Sequence, residues 1–134
     1  MKNFMDDQDF LLSTKTGEEL FHNFAEGMPI VDYHCHISPK EIWDDKRFEN
    51  ITEVWLGGDH YKWRLMRANG VAERFITGDA PAREKFQKWA ETLGRCVGNP
   101  VFEWSHLELK RFFGYEGVLN GNTAQEVWDL ANAK

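Results

Sequence analysis

Apolar residues Leu20, Phe21 and Phe24 recur at helical spacing behind Thr16-Gly17-Glu18-Glu19, which predicts a capped helix stopped at Gly27. The pattern then changes. Pro29-Ile30-Val31-Asp32-Tyr33-His34 is rich in strand-forming residues and reads as a short buried strand, extending over 29–36 with the histidines that close it. Ser38-Pro39-Lys40-Glu41 has the chemistry of a helix start, and Ile42 and Trp43 lie in the helix it opens. Further on, helical patterning predicts Asn50 to Leu56, closed by Gly57-Gly58, then a longer helix capped by Asp59 and ended by Gly70, and a short turn from Ala72 to Ile76. From Asp79-Ala80-Pro81 onward, Ala82, Phe86, Trp89, Ala90 and Leu93 follow the helical period, with Arg83, Glu84, Lys88 and Glu91 on the solvent side. After the Asn99-Pro100 break, Ser105-His106-Leu107-Glu108 reads as a capping box for a helix packing Leu109, Phe112 and Phe113 up to Gly114. A last helix starts at Asn122-Thr123 and carries Val127, Trp128 and Leu130 to the end of the chain.

The pattern therefore predicts one strand and about seven helices, with no repeat and no low-complexity linker. One strand cannot form a sheet, because its backbone donors and acceptors need neighbours. Either 29–34 is an extended segment lying across helices, or the chain is the start of a longer protein.

The run at 29–39 also carries chemistry. On a strand His34 and His36 share one face, roughly 7 Å apart at their Cα atoms, so two imidazoles can converge on a divalent ion. Neutral imidazole is the common zinc ligand, with carboxylates or water filling the other positions. Cys35 between them points to the opposite face and reads as a small buried hydrophobe. A strand end running into a helix start is where α/β enzymes place their sites.

A second cluster lies at Asp59-His60-Tyr61-Lys62-Trp63-Arg64-Leu65-Met66-Arg67. His60 and Arg64 are one turn apart, as are Trp63 and Arg67, so a helix presents His and Tyr at its start with cations behind. Such a start favours anions, and His or Tyr can hydrogen-bond a hydroxylated or carboxylated ligand. The same residues also fit an ordinary amphipathic helix with solvated Arg and Lys. His22 reads as a surface or packing residue, and His106 as structural.

Composition narrows the classes. At 134 residues and 42% hydrophobic content the chain fits one domain, and its ten Phe, six Trp and three Tyr read as core. A net charge of −6 argues against a nucleic-acid partner. No apolar run reaches the roughly 20 residues that span a bilayer, and Met1-Lys2-Asn3-Phe4 leads into acidic residues, so the chain reads as cytoplasmic with no membrane partner. Cys35 and Cys96 have no framework spacing and read as thiols.

Taken together, the two clusters resemble uronate isomerases, the glucuronate isomerase branch of the amidohydrolase superfamily. Residues 28–39 look like that family's first barrel strand with its His-x-His, and 59–70 resemble its second signature. Phe10-Leu11-Leu12 and Trp104-Ser105-His106-Leu107-Glu108-Leu109 are similar too, so the likeness covers essentially the whole chain. The resemblance implies an α/β fold, the N-terminal part of a (β/α)8 barrel: an N-terminal helix in 1–28, the first strand at 29–36 and a helical insertion over 38–134. It implies interconversion of D-glucuronate with D-fructuronate and of D-galacturonate with D-tagaturonate, with a uronic acid as substrate and room for a homo-oligomer. His34 and His36 carry over as ligands of a divalent metal, zinc by its ligand chemistry. His60 and Tyr61 carry over as residues contacting the sugar acid, Tyr61 in a catalytic role. Members of the family are several times longer, and their remaining metal ligand, an Asp after the last strand, has no counterpart here, so the chain by itself is expected to be inactive. The rival readings are a helical interaction module with structural histidines and a metal-dependent hydrolase of the same superfamily.

Overall fold

The computed structural model of the chain describes residues 8–133, and the parts of the N-terminal lead and the C-terminus beyond them lie outside the described residues. The chain divides into two compact units, Met1–Cys35 and His36–Lys134.

The first unit is organised by one helix, α1, Lys15–Leu20, continued by a wider π turn over Phe21–Ala25. The cap is Thr14 rather than the expected Thr16. Thr14 is extended (φ −136°, ψ 148°), and its hydroxyl accepts from the Gly17 N–H at 3.0 Å, which satisfies the open first turn without a reciprocal Glu. His22 lies between the Asp9 and Glu26 carboxylates, 3.1 Å from each, and the hydrogen bonds to Asp9 and then Glu26 raise its pKa above the ordinary value. None of these helical residues is buried, Leu20, Phe21 and Phe24 included.

The expected strand is not formed. No strand occurs among the described residues; the part of 29–36 before the turn at His36 is irregular, and Ile30 and Tyr33 are 94% and 95% exposed rather than buried. Cys35 is exposed as well. The physical reason is the one that makes an isolated strand untenable: β-forming residues have no ladder partner among the described residues.

In the second unit, α2, Pro39–Trp43, starts with Pro39 in the first turn, and Ser38 at its N-cap contributes backbone rather than side-chain bonds. Helices α3, Ile51–Leu56, and α4, His60–Ala68, follow, capped by the side chains of Asn50 and Asp59, the second as the sequence predicts. A 3-10 turn over Glu73–Phe75 leads to α5, Ala82–Leu93. Then come α6, Pro100–Phe113, and α7, Ala124–Asn132.

Helix α5 is the centre of this unit and packs on α3, α4 and α7. Its buried face, Phe86, Trp89, Ala90 and Leu93, has the predicted period, and Trp55 and Trp128 lie against the Phe86 ring at 6.2 and 5.6 Å. Met66, Ile76, Leu109, Leu119 and Val127 belong to the same core. Each large side chain buried there contributes roughly 1.5–3 kcal/mol of transfer free energy.

Helix α6 starts earlier than expected, with its N-cap at Asn99 rather than Ser105. Asn99 caps it by accepting from the Val101 N–H at 3.0 Å, and Pro100 is pre-organised for the first turn, so Ser105 and His106 are interior and buried rather than a helix start. Gly114 ends it in the left-handed conformation at φ 70°. His106 is structural. Its Nδ1 donates to the Phe102 carbonyl at 2.6 Å and its Nε2 accepts from the Leu119 N–H at 2.9 Å, an arrangement that suits the neutral ring, and burial lowers its pKa. No described helix is long and apolar enough to cross a membrane.

Candidate functional site

The second signature folds into α4, and the geometry of its first turn starts at the N-cap Asp59. Oδ1 accepts from the Tyr61 N–H at 2.9 Å and, at 3.5 Å, from that of Lys62, while Oδ2 takes the Lys62 ammonium at 2.6 Å. Lys62 is 9% exposed, so this ion pair is partly withdrawn from water. Burial alone pushes the Asp59 carboxyl up, but the hydrogen bond and charge of Lys62, with the two amides, outweigh it and hold the group below the usual carboxylate range. The cap fixes the backbone at His60 and Tyr61, whose rings lie 4.6 Å apart.

The start of α4 is braced from behind. The Trp63 indole donates to the Leu56 carbonyl at 2.8 Å, linking α4 to the end of α3. Helix α3 is tied to α5 by the Thr52 hydroxyl on the Ala82 carbonyl at 2.8 Å, and to α6 by the Trp55 indole on Glu108 at 2.7 Å. Between α3 and α4, Gly57 cannot carry a side chain, since a Cβ there would lie 2.4 Å from the Glu53 carbonyl oxygen.

His36 joins this cluster. Its ring is 4.9 Å from His60 and 5.3 Å from Tyr61, tilted by 29° and 12° respectively, so three rings with hydrogen-bonding heteroatoms gather at one place. Ring pairs of this kind contribute about 0.5–1.5 kcal/mol beyond their buried area. Arg64, one turn along α4, places its Cζ 4.9 Å from the Tyr61 ring centroid. Tyr61 remains 48% exposed, so the phenol is accessible.

A groove of about 950 Å³ adjoins the cluster, with His36, Lys46, Glu53, Trp55, Asp59 and Lys62 in its wall. Lys46 bridges Glu41 of α2 and Glu53 of α3 at 2.8 and 3.1 Å. Its hydrogen bond is the main reason the Glu41 carboxyl is held low; Glu53 is lowered first by the Glu49 amide and then by Lys46.

Of the four residues that sequence reasoning selects, the structure brings His36, His60 and Tyr61 together. His34 belongs to the first unit, where its N–H donates to the Asp32 carboxylate at 3.2 Å. Among the described residues no group of three His, Cys, Asp or Glu side chains is arranged to hold a metal ion. Two imidazoles are the right donors for zinc but only half of a four-coordinate set. Sequence reasoning missed the stacking of His36 on the second signature and the Lys46 bridge. The stacking joins residues far apart in sequence, which no local periodicity reports, whereas the Lys46 bridge is short in sequence but links the separate helices α2 and α3.

Comparison with known proteins identifies the family. The sequence model of the glucuronate isomerase family matches residues 1–134. The uronate isomerases of Lachnospira eligens and Endomicrobium trichonymphae are 69% and 64% identical over 134 residues, all of this chain and 28% of each relative. The crystal structure of uronate isomerase from Thermotoga maritima superimposes with a TM-score of 0.85 at 40% identity, over 94% of this chain and 28% of that one. The chain thus spans about 28% of the length of the relatives it matches. Because the family's model matches residues 1–134, the chain belongs to the glucuronate isomerase family.

Proposed function

We propose that this chain is the N-terminal part of a uronate isomerase, a (β/α)8-barrel enzyme of the amidohydrolase superfamily that interconverts D-glucuronate with D-fructuronate and D-galacturonate with D-tagaturonate. The observation that carries the reading is the cluster of His36, His60 and Tyr61 rings at the capped start of α4, within a chain matched throughout by the family. In the whole enzyme the 29–36 stretch would pair with later strands, which supplies the ladder it lacks here.

Aldose–ketose isomerisation moves a proton between C2 and C1 and needs a donor that stabilises the enediolate. Tyr61, exposed and held in place by its neighbouring rings, donates its phenolic hydrogen to the developing oxyanion. His60, one residue earlier on the same turn, hydrogen-bonds a hydroxyl near the reacting carbons. His34 and His36 would supply two of the ligands of a divalent metal, zinc by ligand type, with the remaining ligands and the base contributed by later parts of the enzyme. Such a metal, when bound, polarises and orients a substrate hydroxyl or a water. Two protein ligands make an incomplete site, so the 134-residue chain alone does not turn over uronate.

The test uses a full-length uronate isomerase carrying this sequence. Replacing both His34 and His36 by Ala should remove bound zinc and reduce D-glucuronate turnover by at least about 100-fold, since even partners of metal ligands are worth 10–100-fold. Unchanged zinc content and turnover would instead favour structural histidines.

A further inference from the structure

Helix α4 carries three cationic side chains, and they differ in what holds them. Lys62 is bound to the Asp59 carboxylate at 2.6 Å. Arg67 forks Glu73, Nε to Oε2 at 2.9 Å and Nη2 to Oε1 at 2.5 Å, and this pairing, with the Thr77 hydroxyl, holds the Glu73 carboxyl at about 2. Arg64 contacts the Tyr61 ring instead, and no carboxylate among the described residues lies within salt-bridge distance of it. A guanidinium over a ring keeps its N–H donors available, because the attraction to the ring uses none of them as a hydrogen bond.

The alternative anion site of the cluster is already filled. A helix start attracts anions through its open amides, but here Asp59 occupies the amides of Tyr61 and Lys62 and brings a negative charge of its own. Among the described residues, the cationic side chain of α4 with no carboxylate partner is Arg64, whose guanidinium lies over the Tyr61 ring of the cluster, one turn from His60 on the same helix face. We infer that Arg64 is the specificity-determining residue of this site and binds the carboxylate that distinguishes a uronic acid from a neutral sugar. The inference rests on the uronate isomerase reading and assigns it a residue. Guanidinium suits the task, since it stays charged at every physiological pH and meets a carboxylate with two parallel N–H donors.

The experiment compares D-glucuronate with D-glucuronamide, its neutral counterpart, as substrate or competitive inhibitor of the full-length enzyme. Arg64→Met keeps an apolar stem over Tyr61 and removes the charge. It should lower kcat/KM for D-glucuronate by about 100-fold, as expected for a lost charge-assisted pair, and change the constant for D-glucuronamide by less than about 3-fold. Arg64→Lys should recover part of the loss for the acid only. Equal losses for acid and amide would mean that Arg64 merely steadies Tyr61, and no loss for either would mean that it does neither; both results overturn the inference while leaving the isomerase reading intact. Failure of the unsubstituted enzyme to isomerise D-glucuronate would overturn that reading and this inference together.

Discussion

The His36 ring lies 5.3 Å from the Tyr61 ring and within 12° of parallel to it, although one residue precedes α2 and the other sits in the first turn of α4. The Tyr61 end of that pair is held by Asp59, which caps α4, and by Trp63, which ties it to α3. The phenol is therefore positioned by packing that is complete within the second unit.

Asp59 can be tested by itself. Asp59→Ala removes a helix cap, worth about 0.5–2 kcal/mol, and leaves the nearly buried Lys62 ammonium without its partner. Chemical denaturation of the 134-residue chain should show a loss of about 1–3 kcal/mol, and Asp59→Asn, which keeps the cap but not the charge, should lose less. Equal stability of all three proteins would mean that the cap does not hold α4.

His106 predicts a pH dependence. Its folded pKa is lowered, chiefly by burial, so below the ordinary value near 6.5 the unfolded chain takes up a proton that the folded chain resists. Its contribution is fully present above that pH and is lost as pH falls. His106→Gln should cost about 1–3 kcal/mol at pH 8, where the Phe102 carbonyl and Leu119 amide lose good partners. It should also make the urea midpoint less sensitive to acidification between pH 7 and 5. A steeper dependence in the variant would contradict the neutral buried ring.

Trp89 separates packing from hydrogen bonding. Its side chain is fully buried, and its indole Nε1 has no hydrogen-bond partner among the described residues. Trp89→Ala should cost about 3–5 kcal/mol, whereas Trp89→Phe should cost much less, because the smaller cavity is offset by removal of an unsatisfied donor. Thermal or urea unfolding decides it: equal losses would mean that the indole N–H is satisfied in solution.

The helical part was legible where local chemistry decides it. Asn50 and Asp59 cap their helices as their side chains dictate, and α5 buries Phe86, Trp89, Ala90 and Leu93 because their spacing matches its turn. Legibility failed where two signals compete within a few residues. Thr14 capped in place of Thr16, and Asn99-Pro100 started α6 ahead of the box at Ser105. At Ile30, Val31 and Tyr33 the residues do favour a strand, yet a strand is a property of pairs, and no partner strand occurs among the described residues. The site was half legible. His60 and Tyr61 stand out beside each other in one signature, whereas their stacking on His36 depends on how the chain between them folds.

The most direct measurement is the rate at which a full-length uronate isomerase carrying this sequence converts D-glucuronate to D-fructuronate when Tyr61 becomes Phe. The substitution removes one hydroxyl and keeps the ring beside His36 and His60. The kcat should fall by about 10²–10⁴-fold with zinc content unchanged, the loss expected when a donor to the developing oxyanion disappears. A kcat within about 3-fold of the unsubstituted enzyme would contradict that role for Tyr61.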